Sequence, residues 1–151
     1  MRTMAREEDV ANLRRRLRLV QADGVRRWGR MNAHQMVCHL GDSFRMATGD
    51  YRPRPVSQER QSLRTLLKWS ALYWGIPWPR GFPTIAEADQ ERAGTRPTDF
   101  TEDLARAEEE MDRFLAASLD WPHPFFGLMS RSDWLRWGWL HTDHHLHQFS
   151  L

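Results

Sequence analysis

The sequence lacks the residues and runs that mark disulfide-stabilised, secreted and membrane proteins. Its only cysteine is Cys38, so no intrachain disulfide can form, which fits a reducing compartment. Residues 1–10 are charged and have no apolar centre, so no secretory signal is expected. No run of about 18 apolar residues occurs, so no membrane span is expected. The sequence therefore predicts a soluble, cytoplasmic protein without a membrane partner.

The sequence also lacks the basic stripe that a nucleic-acid-binding protein normally carries. Its 22 basic and 20 acidic residues nearly balance, which leaves a formal net charge of +2. The tightest basic run, residues 14–18, lies among acidic and apolar residues on a predicted helix. A solvated helix face explains that run better than a phosphate site. The loop around Arg52 and Arg54 could attract an anionic substrate, but a solvated loop is the better interpretation. No nucleic-acid partner is expected.

Strand signals are weak along the chain, whereas apolar residues recur at helical spacing. This spacing predicts helices over residues 7–21, 32–48, 61–74, 98–118 and 130 to nearly the end. Asn32 is expected to cap the second helix, and Ser130, with Asp133 three residues later, the last. Prolines and polar residues predict loops or irregular structure over 50–60 and 75–98, and a short turn of helix could form within 84–98.

We therefore expect an all-α fold with four main helices and an extra short helix between the second and the third. A chain of 151 residues is long enough for a hydrophobic core of its own. Residues 1–151 are accordingly predicted to form one domain.

Histidines are concentrated at the end of the chain, where four of the seven occupy the last eleven residues. His141 and His145 are four residues apart on the predicted last helix, so their side chains can converge on one ion. Buried imidazoles need partners, since an unpaired polar group in a core costs about 1–3 kcal/mol. A metal ion would serve both rings. The pair taken alone also fits satisfied core histidines or a surface histidine-rich tract.

His39 is the expected third ligand. It lies at the edge of the inward face of the second helix, and it reaches the level of His141 and His145 if the two helices run antiparallel. Three protein ligands with one open position are common at catalytic metal sites. His34 points away from that face and is not expected to join them. Zinc or nickel is the expected ion, with iron as an alternative.

Five further residues have side chains of a type that can act at a metal site. His144 could act as a proton shuttle or bond to a ligand. Asp42 could orient an imidazole, or it could be an exposed carboxylate. Gln148 could line a pocket or only cover the helix face. Cys38 points about 100° away from His39 on a helix, so it is not expected to act as ligand or nucleophile. His123 is expected to have a structural role in its proline- and phenylalanine-rich turn.

Three segments resemble the DinB-like superfamily. Residues 28–40, WGRMNAHQMVCHL, resemble its second helix, and residues 141–149, HTDHHLHQF, resemble the H-x-x-H-H motif of its last helix. The run HPFFG at 123–127 resembles the DUF1569 branch. The likeness covers about residues 28–50 and 120–151, together with the order of the helices.

The resemblance implies a DinB-like four-helix bundle with a metal triad of His39, His141 and His145. It also implies a homodimer and a small-molecule substrate. Related members are transferases or isomerases that use a low-molecular-weight thiol such as bacillithiol, mycothiol or glutathione; for the DUF1569 branch it implies no particular reaction. Three functions therefore stay open: a thiol-dependent transferase, a metal-dependent hydrolase, and a non-catalytic metal- or ligand-binding stress protein.

Overall fold

The computed structural model describes residues 1–51, 61–76, 78, 80 and 85–151. Its helices are α1 (Glu7–Leu17), α2 (Ala33–Thr48), α3 (Gln61–Tyr73), α4 (Phe100–Ala116) and α5 (Arg131–His147). A short 3-10 turn over Ala86–Ala88 precedes α4. Within these described ranges no strand forms, and a single β-bridge joins His123 to Gly127. The predicted all-α fold is confirmed, with α3 as the extra helix between the second and third main helices.

The helices that carry the clustered histidines begin after the predicted caps Asn32 and Ser130, and both caps are reciprocal. At the start of α2, the Gln35 N–H donates to the Asn32 side chain (2.8 Å), and the Asn32 N–H donates to the Gln35 side chain (2.9 Å). At the start of α5, Ser130 and Asp133 make the same pair of bonds at 3.0 and 3.1 Å. Each cap satisfies two backbone N–H groups that have no partner inside the helix.

The core lies between α1, α2, α4 and α5, and α2 makes its most extensive contacts with α4. The rings of Phe44 and Phe114 meet across this interface with centroids 5.2 Å apart. Gly41 faces α4 at this interface, where a Cβ would be in ordinary van der Waals contact with the Cα of Ala107 at 3.7 Å. Trp134 of α5 is fully buried in the same core. Helix α3 packs on α5 and contributes the fully buried Leu72 to the core.

The end of the first helix differs from the prediction. The first helix ends at Leu17 and not at Gln21, because the N–H of Val20 bonds to the Leu17 carbonyl (3.1 Å) and closes a tight turn. This turn still buries Val20, which explains why the apolar spacing continued past the end of the helix.

The 3-10 turn occupies part of a segment that was predicted to be irregular, although a short helical turn was allowed there. Arg52 and Arg54 lie outside the described residues. No helix formed by the described residues is long and apolar enough to cross a membrane.

Candidate metal centre

Three histidines from two helices meet at one point in the bundle. The Nε2 atom of His141, on α5, lies 3.2 Å from Nε2 of His39, on α2, and 3.2 Å from Nε2 of His145, one turn further along α5. His39 is 4% exposed and His145 is 7% exposed, so two of the rings are withdrawn from solvent. The structure thus brings together the three residues that the sequence predicted as metal ligands.

Hydrogen bonds at the far side of two rings fix which nitrogen carries the proton. Nδ1 of His39 donates to the Ala88 carbonyl at 2.7 Å, and Nδ1 of His145 donates to Oε1 of Gln148 at 2.9 Å. Both partners can only accept, so each Nδ1 holds the proton. In a neutral ring the Nε2 atom then presents a lone pair. Both lone pairs point towards the same Nε2 atom of His141.

The three Nε2 atoms fit a divalent transition metal better than they fit one another. His141 has at most one Nε2 proton to share between two acceptors, so at least one approach at 3.2 Å sets lone pair against lone pair. A metal cation can accept the lone pairs of all three Nε2 atoms. Nitrogens about 2.0–2.1 Å from a tetrahedral zinc ion lie about 3.3 Å apart, close to the observed spacing. Three imidazoles would occupy three positions of a tetrahedral metal site and would leave the fourth position for a further ligand.

The ring of His141 is held by stacking. It lies parallel to the indole of Trp137, with centroids 4.8 Å apart and planes 12° apart. Its Nδ1 atom is buried and has no hydrogen-bond partner among the described residues. Stacking on a helix neighbour four residues away therefore sets the orientation that hydrogen bonds set for the other two rings.

The electrostatic surroundings keep the cluster neutral. Burial lowers the pKa of His39, and it lowers the pKa of His141 and His145 well below the ordinary value. The neighbouring imidazoles lower the last two further, because a second positive charge beside the first is unfavourable. Neutral imidazole is the form that binds a metal.

His144 lies on the wall of a cavity beside the three histidines. Its ring is 6.1 Å from that of Trp28 and 6.0 Å from that of Trp78, and burial lowers its pKa. It faces the same space as the triad without belonging to it, which keeps it a candidate for handling a proton from a bound molecule.

Asp42 is buried on α2, three residues after His39. Its carboxylate accepts hydrogen bonds from the Gln90 side chain (3.0 Å) and from the backbone and hydroxyl of Thr95 (2.8 and 2.6 Å). It therefore anchors the segment that follows the 3-10 turn. The bond that orients His39 comes from that turn, through the Ala88 carbonyl. No side-chain pattern in the sequence could have indicated a backbone partner 49 positions away.

The cavity beside the triad has a volume of about 680 Å³, which is in the range of small-molecule sites. Most of its wall is apolar, and its members come from separate segments: Met46, Leu67, Ile76, Trp78, Ile85, Phe125, Phe126 and Trp137. The sequence suggested only Trp137, which shares the histidine-bearing face of the last helix, as a wall residue; the others share no motif and are brought together only by the fold.

His123 has the structural role expected of it and also borders the cavity. Its Nδ1 accepts the N–H groups of Phe125 (3.1 Å) and Phe126 (3.3 Å), which holds the turn between α4 and α5. Burial lowers its pKa to about 3, so the ring is a neutral acceptor. It packs 5.3 Å from Trp137 and so supports the tryptophan on which His141 stacks.

A second group of ligand-type side chains lies on the other side of α2. Atoms of His34, Cys38 and Asp103 lie within 4.8 Å of one another. The Asp103 carboxylate already accepts bonds from His34 (2.8 Å) and from the Thr98 backbone (2.9 Å), and it pairs with Arg106. Burial, with a contribution from Asp103, raises the pKa of Cys38 to about 12. These contacts describe a hydrogen-bonded structural cluster with a neutral thiol. This agrees with the expectation that neither His34 nor Cys38 is a ligand of the metal site.

Fold and site together define a class: a helical-bundle protein with a buried three-histidine cluster that could hold a metal ion. The model of the DinB superfamily matches residues 7–149. The chain therefore belongs to the DinB superfamily. No curated protein and no solved structure matches the sequence significantly.

Proposed function

We propose that the chain is a metal-dependent enzyme that acts on a small molecule, with His39, His141 and His145 as the ligands of one divalent transition metal. The observation that carries the proposal is the convergence of three Nε2 atoms beside a cavity. Among the described residues the group contains three ligand side chains and no fourth. An open position is typical of catalytic sites, whereas structural zinc sites are closed by four protein ligands. Zinc or nickel is the proposed ion and iron the alternative.

Thiol-dependent transfer is the reaction that we place first. A metal at this position would act as a Lewis acid and lower the pKa of a thiol or a water molecule. Cys38 cannot supply the thiol, because it is a neutral, buried group in the other cluster. A low-molecular-weight thiol would therefore enter from solution. The S–H bond would break and its proton would pass to His144 on the cavity wall, while the sulfur would bond to an electrophilic carbon and displace the leaving group of that carbon as an anion.

Hydrolysis is the alternative reaction, with water in place of the thiol, and non-catalytic ligand binding is the third outcome. Membership of the DUF1569 branch is supported by the HPFFG run at 123–127. A cytoplasmic location is supported by the free thiol of Cys38. A homodimer is supported by the family resemblance and by exposed apolar side chains on α3, among them Leu66 and Trp69. Light scattering at several protein concentrations would measure the oligomeric state.

Metal content tests the centre. We would measure it in untagged protein purified without added metal, beside the His145→Ala variant and a matched His147→Ala variant. His147 lies two residues further along the same helix but is largely exposed, and it bonds to the Asp143 carbonyl (2.8 Å). About one metal per chain is expected in the wild type and in His147→Ala, and much less in His145→Ala. A metal-free wild type after incubation with zinc and nickel would refute the site.

Activity assays then separate the reactions. The metal-loaded protein would be mixed with an aromatic electrophile, with and without each of several thiols, and separately with aryl esters. Loss of the electrophile that requires both thiol and metal supports the transferase. Ester cleavage that needs no thiol supports the hydrolase. Silence in both assays, with the metal bound, would favour a binding protein.

A further inference from the structure

The part of the cavity nearest the histidines is bounded by flat apolar groups. Trp137 stacks on the ring of His141, and the indole of Trp78 lies 6.1 Å from the same ring. Phe125 and Phe126 line the cavity from the turn before α5. A molecule whose donor atom meets the three Nε2 atoms would therefore have its adjoining atoms among aromatic rings.

The charged groups on the wall are already paired. Arg30 and Glu91 lie at the solvent side and form an ion pair with each other. Asp89 pairs with Arg92 at 3.5 Å. Within the described part of the chain, no lining lysine, arginine or carboxylate is therefore left to bind a charge on the molecule. A charged group on a part of the molecule away from the metal would therefore lose its hydration without gaining a counter-charge from the described wall.

We propose that the cavity takes a small aromatic molecule that presents one nitrogen, oxygen or sulfur donor to the metal and carries no charge on the rest of its structure. This inference rests on the proposed function, since the donor occupies the open position of that centre. Aromatic rings in offset or edge-to-face contact with the indoles gain free energy beyond the burial of their surface. The volume of about 680 Å³ accommodates such a ring with substituents.

The test compares two probes that have the same donor and differ by one ring. Imidazole and 4-phenylimidazole would be titrated into cobalt(II)-loaded protein at about pH 8, where both are neutral. The cobalt absorption bands report occupation of the open position without requiring an activity. We expect 4-phenylimidazole to bind at least about tenfold more tightly, because its phenyl ring leaves water for an apolar wall. Equal dissociation constants would overturn the inference.

A charged probe and a pair of variants sharpen the test. The benzoate analogue of 4-phenylimidazole is expected to bind more weakly than the parent, and tighter binding would overturn the claim that the rest of the molecule carries no charge. Trp78→Ala should lose at least about threefold of the preference for the phenyl ring. Trp69→Ala should keep it, because Trp69 packs on Tyr73 (4.6 Å) and does not line the cavity. A preference unchanged in Trp78→Ala would contradict the assignment of the wall.

The experiment also separates this inference from the proposed function. Protein that binds no cobalt refutes the metal centre and with it both proposals. Protein that binds one cobalt per chain through the histidines, yet binds imidazole and 4-phenylimidazole equally, refutes only the aromatic ligand.

Discussion

Replacement of Gln148 by leucine should weaken metal binding although Gln148 is not a ligand. Its Oε1 atom accepts the Nδ1 proton of His145 at 2.9 Å, and both side chains are buried. This bond keeps the Nε2 lone pair of His145 directed at the site. Leucine has a similar volume and cannot accept, so the effect comes from the hydrogen bond rather than from a cavity.

The magnitude follows from the proton that loses its acceptor. In metal-free Gln148→Leu, the proton of His145 can move from Nδ1, where it has lost its acceptor, to Nε2, where His141 accepts it. Metal binding returns the proton to Nδ1, where it is buried without a partner at a cost of about 1–3 kcal/mol. Since about 1.4 kcal/mol corresponds to a factor of ten, the affinity should fall between several-fold and about a hundredfold.

Competition with a chromophoric chelator would measure this loss for zinc or cobalt. Gln148→Glu keeps an acceptor at the same place and should retain the wild-type affinity or exceed it. Gln21→Leu, at an exposed glutamine outside the site, controls for the substitution itself. A folded Gln148→Leu protein that binds as tightly as the wild type would refute the role assigned to Gln148.

Three further results are expected. Gly29→Ala should lower metal affinity in the same chelator assay, because Gly29 has φ +85° and a Cβ there would lie 2.8 Å from Nε2 of Gln148. Gly49→Ala should lower the free energy of unfolding in urea by about 1–3 kcal/mol, since Gly49 has φ +87° and Trp121 occupies the place of a Cβ. Burial would raise the pKa of Asp133, but its hydrogen bonds outweigh burial and lower it below 3.8. The contribution of Asp133 to the free energy of unfolding is therefore complete above about pH 4 and is lost as the pH falls further. In urea melts at several pH values, the free energy of unfolding of Asp133→Asn should fall less steeply towards acid pH than that of the wild type.

Helices and caps were predictable because their causes are local. The Asn32 and Ser130 capping boxes span four residues each, so the local sequence contains both partners. The ends of helices depend on more distant contacts. Helix α1 stops at Leu17 although Val20 continues the apolar spacing, because a tight turn buries Val20 equally well. Spacing indicates which residues are buried more reliably than it indicates where a helix ends.

The three clustered histidines were predictable from helical spacing and relative level, but their supports were only partly so. Gln148 could be suggested because it is three residues from His145 on the same helix. The Ala88 carbonyl that orients His39 and the indole of Trp78 come from a segment with no periodic pattern. Contacts between distant segments depend on the path of the chain, which local propensity does not encode.

The two groups of ligand-type residues show why spacing alone cannot identify a metal site. His34 and Cys38 are four residues apart on α2, just as His141 and His145 are on α5. In the first group, the Asp103 carboxylate accepts bonds from His34, Thr98 and Arg106, so its charge is compensated without an ion. In the second, the Nε2 atoms of two rings face the Nε2 atom of the third at 3.2 Å, and at most one proton is available for the two contacts. The deficit of donors, and not the presence of histidines, is the physical feature that points to a cation.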